Sequence, residues 1–442
     1  MEKYDVVIIG AGPAGLAAAY GLKAAGKNVA VIENDLWGGT CPNRGCDPKK
    51  VLLSGVEARD KVAQLHGKGF KTAPLVNWVE LQAFKETFTT QVSENSRQGL
   101  VKAEIQTIEG TPRFIAADQI QVNQAVITAD DFIIATGQRP KLLDVPGKDH
   151  LLTSSDFLSL KQMPEEIAII GGGYIAFELA SIANATGTKV HVIHHNERPL
   201  KAFDADLVAD FITELQQKGI IFHFNVATKE IVQKQNRYTL QANNLELPAD
   251  LIFAATGRIP NLEGLDLAAA NVVSDGHGIQ VNAQLQTANP HVYAIGDVVA
   301  KKQPKLTPVA GFEARYVVQQ LTGTTTAAIS YPPIPTVVYG SPKLAAVGVT
   351  TVEAAQQPDK YKLKTQDLTQ WFSYHRTNDS IAKATLIFDK QDLLVGASVL
   401  SYEADTLINY LTLAITQKLD HQSLLQLIMA YPTAASDLPY LI

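Results

Sequence analysis

One pattern constrains the fold of this chain more than any other. An apolar run, a glycine-rich turn, an Ala/Leu-rich stretch and a second apolar run follow one another, and the whole series occurs twice. Tyr4 to Ile9, apolar apart from Asp5, has the character of a strand buried on both faces of a parallel sheet. It leads into Gly10-Ala11-Gly12-Pro13-Ala14-Gly15, then a stretch to about Ala25 that predicts a helix, then a second strand from Asn28 to Glu33. In such a turn the first glycine permits the tight bend and the second lets the backbone approach a diphosphate. The third lets helix close on strand. The diphosphate would lie at the helix N-terminus, where free N–H groups and the dipole favour negative charge. Glu33, ending the second strand, is placed to accept hydrogen bonds from a ribose.

The second copy runs from Glu166 through Gly171-Gly172-Gly173-Tyr174, a helix to about Ala185, and a strand from Lys189 to His194. The position that Glu33 holds in the first copy falls on His194 in the second. An acid there would repel a 2′-phosphate. Here His194 and His195 are followed by Arg198 and Lys201, groups that can neutralise one. The reading is a second site that prefers NADPH to NADH; the plainer alternative is a solvated loop.

Three further apolar strands end in small or acidic residues. Phe132 to Thr136-Gly137 and Leu251 to Thr256-Gly257 turn toward Pro140 and Pro260, as exits from the two halves would. Val292 to Gly296-Asp297 would present a carboxylate to a polyol chain. A chain of 442 residues is too long for one core. A net charge of −6 with no basic stripe argues against nucleic-acid or anionic-membrane partners. The apolar stretch from Val6 to Leu22 is broken by glycines and Pro13, so neither a membrane span nor a signal peptide is expected. The expected location is the cytoplasm.

The chain has only two cysteines, Cys41 and Cys46, inside Gly38-Gly39-Thr40-Cys41-Pro42-Asn43-Arg44-Gly45-Cys46-Asp47-Pro48-Lys49-Lys50. A disulfide needs Cα atoms roughly 4.4–6.8 Å apart. Residues five apart on one regular helix are about 8 Å apart and diverge. Cys41 is therefore expected in the loop before a helix that Pro48 helps to start. Cys46 then sits near the helix N-terminus with Lys49 and Lys50 close by, all of which favour a thiolate. Closing so short a loop would stabilise the fold by only about 2 kcal/mol, so redox chemistry is the better reading. No metal site is expected, because the sulfurs lack companions.

Taken together, these motifs resemble those of the FAD-dependent pyridine-nucleotide disulfide reductases in order and spacing. Within that family the chain is most similar to glutathione reductase, through Cys46-Asp47-Pro48-Lys49-Lys50, Gly173-Tyr174-Ile175-Ala176-Phe177-Glu178 and Leu306-Thr307-Pro308-Val309-Ala310. The resemblance implies an α/β fold with two Rossmann-like dinucleotide-binding domains, for FAD and NAD(P), and a C-terminal α+β dimerisation domain. The corresponding ranges are 1–149 and 257–329 for FAD, 150–256 for NAD(P) and 330–442 for dimerisation. Gly39, Thr40, Thr136, Gly137 and Gly257 would line the nucleotide sites. NADPH on the second unit would reduce the flavin, with Tyr174 shielding the nicotinamide pocket and Lys49 paired with Glu178 beside it. Cys46 would be the charge-transfer thiolate, Cys41 the thiol that attacks substrate. Asp297 would hold the ribityl chain, and Thr307 would lie near the pyrimidine end of the ring.

The match breaks near the C-terminus. Where the family has a His-Pro pair that serves the partner subunit's disulfide, with a Glu five residues on, this chain has Tyr431-Pro432 and Ser436, and Asp437 is displaced by one. A phenol is only about one part in a thousand ionised at pH 7, whereas imidazole is poised there. Tyr431 can donate a hydrogen bond but is a poor base; alternatively it only packs at the dimer interface. Arg315 matches an arginine near the substrate of glutathione reductase, yet Tyr20 and Gly21 stand where that enzyme has basic residues. Arg44 could attract an anionic substrate or simply be exposed. The expected function is an NADPH-dependent flavoenzyme, a homodimer whose partner completes the active site, reducing a small disulfide. The alternatives are reduction of a metal ion, quinone or other small-molecule electron acceptor, or a flavin redox sensor. The Tyr-x-Thr motif resembles mercuric reductase, although that enzyme's C-terminal cysteine pair is missing.

Overall fold

The computed structural model describes residues 2–442, which divide into two compact units. The first gathers the N-terminal stretch up to Lys50 with Ala83–Lys141 and Arg258–Ser330. Its main sheet has a parallel centre. Gln106–Glu109, Val29–Glu33, Glu2–Ile9, Ala125–Ile134 and Val292–Ala294 lie side by side, and an antiparallel hairpin of Pro112–Ala116 and Gln119–Val122 extends one edge. Ile9 is level with both Ile32 and Ile134, so the strands end together and the glycine turn opens at their C-terminal ends. This is where an open parallel sheet binds its ligands.

The sheet is buried on both faces, as the apolar strands predict. Val6, Ile8 and Val31 meet Ala18 and Leu22 of the helix Pro13–Ala24 and Ala314 and Val317 of the helix Thr307–Leu321. Val7, Ile9 and Ile32 face Phe114 and Phe132 on the other side. Each such aliphatic side chain contributes about 1.5–3 kcal/mol of burial. Gly21 lets the two helices close, since a Cβ there would lie 2.9 Å from Val318.

The second unit comprises Val51–Gln82, Leu142–Gly257 and Tyr331–Ile442. Ile221–His223, Lys189–Ile193, Glu166–Ile170 and Leu251–Ala254 form a four-stranded parallel sheet. The strands Thr228–Lys234, Arg237–Ala242 and Glu246–Ala249 form a small antiparallel one. Toward the C-terminus, Thr336–Val338, Lys343–Gly348, Leu394–Ser401, Lys383–Phe388 and Lys362–Asp367 build a five-stranded antiparallel sheet. The helix Ala404–Gln417 packs on it through Leu407, Ile408, Leu411 and Ala414, a stripe at helical spacing. The fold is thus α/β, with two Rossmann-like halves and a C-terminal α+β portion. After Asp420 the chain forms the short helix His421–Leu425. Among the described residues no helix is long and apolar enough to cross a membrane.

Candidate functional site

In the first unit the glycine turn is as tight as its sequence demands. Gly10 has φ +104°, and a Cβ on it would lie 2.6 Å from the Ala135 carbonyl oxygen; one on Gly15 would lie 1.9 Å from that of Gly10. Gly12 is the N-cap of the helix Pro13–Ala24. Glu33 reaches back to this turn, its Oε2 accepting the Ala11 N–H at 2.8 Å, while Oε1 accepts those of Asn34 and Asp35. Gly39, at φ +68°, presses against Gly12, and a Cβ on it would come within 2.6 Å of the Gly12 Cα. The nucleotide turn and the cysteine segment therefore touch backbone to backbone. A diphosphate of FAD fits here, because Gly10, Gly15 and Gly39 leave no room for side chains and a Cβ on Gly12 would meet nothing closer than the Gly39 Cα at 3.9 Å.

Cys41 does not lie in a loop. It belongs to a one-turn helix, Thr40–Arg44, which Gly45 separates from the helix Cys46–Gln64. The two turns fold back so closely that a Cβ on Gly45 would lie 2.8 Å from the Thr40 carbonyl oxygen and 3.2 Å from the Cys41 Cα. The spacing of the cysteines rules out one continuous helix but permits two that are broken at Gly45. Both thiols are free, and they differ sharply. A hydrogen bond from Cys41 holds the Cys46 thiol down to about 6 against the effect of burial, with Lys49, Thr307 and Lys50 adding to it. The same hydrogen bond, then burial and the Cys46 charge, pushes Cys41 far up. Thr307 Oγ1 lies 3.8 Å from Cys46 Sγ, at the first turn of its helix, whose N-terminal dipole also favours a thiolate. Cys41 Sγ lies 3.8 Å from Asp47 Oδ1. Arg44 is tied to Asp35 rather than to either sulfur.

Thr136 and Asn261 join the two Thr-Gly exits: Thr136 Oγ1 donates to the Asn261 carbonyl, and Asn261 Nδ2 donates back to that of Thr136. Gly137 has φ +66°, and the strands Gln138–Pro140 and Arg258–Pro260 pair antiparallel just beyond. Asp297 sits in the turn Gly296–Val298, where burial pushes its carboxyl up and Lys301, Arg258 and Lys305 pull it back. A feature missed by sequence reasoning holds that turn. Glu313, fully buried, accepts the Gly296 N–H at 2.7 Å and pairs with Lys301, whose side chain is nearly enclosed. Arg315 is exposed on the same helix.

In the second unit Gly171 repeats the role of Gly10: φ is +143°, and a Cβ would meet the Ala255 carbonyl oxygen at 2.2 Å. Gly173 caps the helix Tyr174–Ala185, and Gly257 has φ +108°. Tyr174 is 43% exposed, whereas Glu178 is buried, its Oε1 accepting the Tyr339 N–H at 2.8 Å. The basic group divides. His194 is buried against Gly172, where a Cβ would meet its Nδ1 at 2.5 Å, and burial lowers its pKa so that the ring is neutral at pH 7. Arg198 donates to the Phe203 carbonyl and so braces its own loop. His195 and Lys201 are the exposed members. The open cradle at Gly173, with no atom near its Cβ position, fits a nucleotide diphosphate.

The C-terminal candidates part company. Tyr431 is 71% exposed, stacked on Phe372. Asp437 is buried, and burial pushes its carboxyl up; Tyr374, itself enclosed, is pushed up by burial and by Asp437. Among the described residues no cluster of His, Cys, Asp or Glu could hold a metal ion.

Comparison with known proteins adds the following. Residues 4–314 match the family described as pyridine nucleotide-disulphide oxidoreductase, and residues 334–441 match its dimerisation domain. Glutathione reductase of Nostoc sp. is 32% identical over 430 residues, covering 93% of each chain. Mercuric reductase of Staphylococcus aureus is 31% identical over 445 residues, covering 98% of this chain and 81% of that protein. A solved structure of the HOCl-induced flavoprotein disulfide reductase RclA from Escherichia coli, a cysteine-to-serine mutant in complex with Cu(II), aligns with a TM-score of 0.91. It is 25% identical, with 100% and 99% of the two chains covered.

Proposed function

Because the chain belongs to the pyridine nucleotide-disulphide oxidoreductases, enzymes of FAD and a pyridine nucleotide, we propose that it oxidises NADPH and reduces a small disulfide through Cys41 and Cys46. When bound, the flavin supplies the two-electron link between nicotinamide and dithiol. The observation that carries this reading is the inequality of the two thiols. Cys46, held to about 6, is the thiolate at neutral pH, and Cys41 keeps its proton. Cys46 is thereby prepared to store charge, while Cys41, the remaining sulfur, must give up its proton before it can exchange with an acceptor. Gly10, Gly12, Gly15, Glu33, Gly39, Thr40, Thr136, Gly137, Gly296, Asp297 and Thr307 would hold FAD. Gly171, Gly173, Tyr174, His195 and Lys201 would receive NADPH, with His194 and Arg198 shaping the loop. Lys49 and Glu178 keep the roles that the resemblance gives them. The dimerisation domain supports a homodimer.

A second reading is a flavoenzyme that reduces a metal ion or quinone. Tyr431 in place of a histidine favours it, as does the similarity to mercuric reductase. Steady-state assays with NADPH and NADH against disulfides, quinones and Hg(II) separate the two. Turnover of disulfides with NADPH is expected; turnover only of Hg(II) or quinones removes the first reading.

A further inference from the structure

The sulfur taken here as the one that meets substrate has an acid beside it. Asp47 follows Cys46 in the first turn of its helix, and its Oδ1 stands 3.8 Å from Cys41 Sγ. Arg44, the cation nearest Cys41 in sequence, is bound to Asp35. Lys49 and Lys50 act on Cys46, whereas the charges that bear on Cys41 are those of Cys46 and Asp47, both negative. Asp47 is itself exposed, so its charge faces whatever approaches the sulfur.

We propose that Asp47 is a specificity-determining residue, whose carboxylate makes Cys41 react with uncharged or cationic acceptors in preference to anionic ones. This rests on Cys41 being the exchanging thiol. The exchange itself balances simply. The Cys41 sulfur attacks one sulfur of the acceptor, the acceptor's S–S bond breaks, and the proton released from Cys41 goes to the departing thiolate. Cys46 then displaces the second half and regenerates the internal disulfide, so the dithiol is oxidised and the acceptor reduced. An acceptor with carboxylates near its reacting bond must bring them toward Asp47 in the first of these steps. The repulsion is felt most in that transition state, where negative charge is already spread over three sulfurs. A unit charge within several ångströms in a partly solvated site alters such a rate by about tenfold.

The test uses the full-length, FAD-loaded Cys46→Ser protein, in which Cys41 is the sole thiol, with neutral iodoacetamide and anionic iodoacetate as probes. The ratio of the two rates does not depend on how much thiolate is present, because that factor is common to both. The ratio should exceed that of a free cysteine peptide by about tenfold, fall to the peptide value in Asp47→Asn, and stay high in Asp47→Glu. Added salt should quicken the iodoacetate reaction alone. A ratio equal in parent and Asp47→Asn, or insensitive to salt, overturns the proposal. Should Asp47→Asn fail to fold, the parent's ratio and salt response decide alone. Failure of the disulfide-reductase reading would show separately, as absence of disulfide turnover by the unmodified enzyme.

Discussion

Tyr431 and Phe372 lie face to face, their ring centroids 5.9 Å apart and their planes 15° from parallel. Both are largely exposed, at 71% and 57%. The pair thus presents an aromatic ledge where the resemblance leads one to expect an imidazole. Tyr431→His should raise turnover of small disulfides by at least about tenfold if the missing acid–base limits the rate. It should also introduce a pH dependence centred near about 6.5. Pre-steady-state and steady-state rates across pH check this, and an unchanged rate would mean that the ledge serves packing.

The thiolate at Cys46 has a pH signature. Its folded pKa, about 6, lies below the ordinary thiol value of 9.0, so the thiolate persists above pH 6 and is lost as pH falls through that value. The reduced enzyme should therefore gain stability as pH rises across this window, because the unfolded chain holds the extra proton there. Cys41, pushed the other way, stays protonated throughout. The long-wavelength charge-transfer band of the two-electron-reduced enzyme should fade with a midpoint near about 6 and be absent in Cys46→Ser. A band that survives the substitution removes the role given to Cys46.

Much of this architecture is legible in the sequence, and the exceptions share a cause. The strands Glu2–Ile9, Glu166–Ile170 and Leu251–Ala254 and the helix Pro13–Ala24 follow from apolar patterning, which reports burial. What patterning cannot report is the partner of a polar group. Arg44 finds Asp35, and His194 folds under its own loop. Glu313 could have been noticed, since it shares the buried stripe of Ala310, Ala314 and Val317 and so needed an internal partner. That the partner is Lys301 depends on how the turn at Gly296 folds back, which no local signal specifies.

Glu313→Gln should accordingly be costly. The ion pair with Lys301 is enclosed, and removing one charge leaves the other buried, a loss of about 3–5 kcal/mol. Urea unfolding measures it. The double replacement Lys301→Met with Glu313→Leu should recover part of the loss, because no lone charge then remains.

On the proposed reading, coenzyme choice rests with the exposed members of the second-unit loop, His195 and Lys201. His195→Asn combined with Lys201→Ala should raise the KM for NADPH about tenfold, roughly 1.4 kcal/mol, and leave that for NADH within about twofold. Arg198→Ala should instead perturb both coenzymes alike, because its guanidinium braces the loop through the Phe203 carbonyl. Equal effects in the first variant would point to a loop that is merely solvated.

Gly39→Ala should be poorly tolerated at a position with no side chain to lose. Its φ of +68° and the 2.6 Å approach to Gly12 mean that a methyl group must displace backbone. A destabilisation of about 2–4 kcal/mol is expected, together with weaker flavin retention. Denaturant midpoints and the absorbance of the purified protein test both.

The interruption at Gly45 has a mechanical consequence. With Cys41 on a one-turn helix and Cys46 in the first turn of a long one, the proposed joining and parting of the sulfurs needs only local bond rotations, and neither helix need melt. On the proposed reading, oxidation state would then alternate once per turnover through a moving part only a handful of atoms in size.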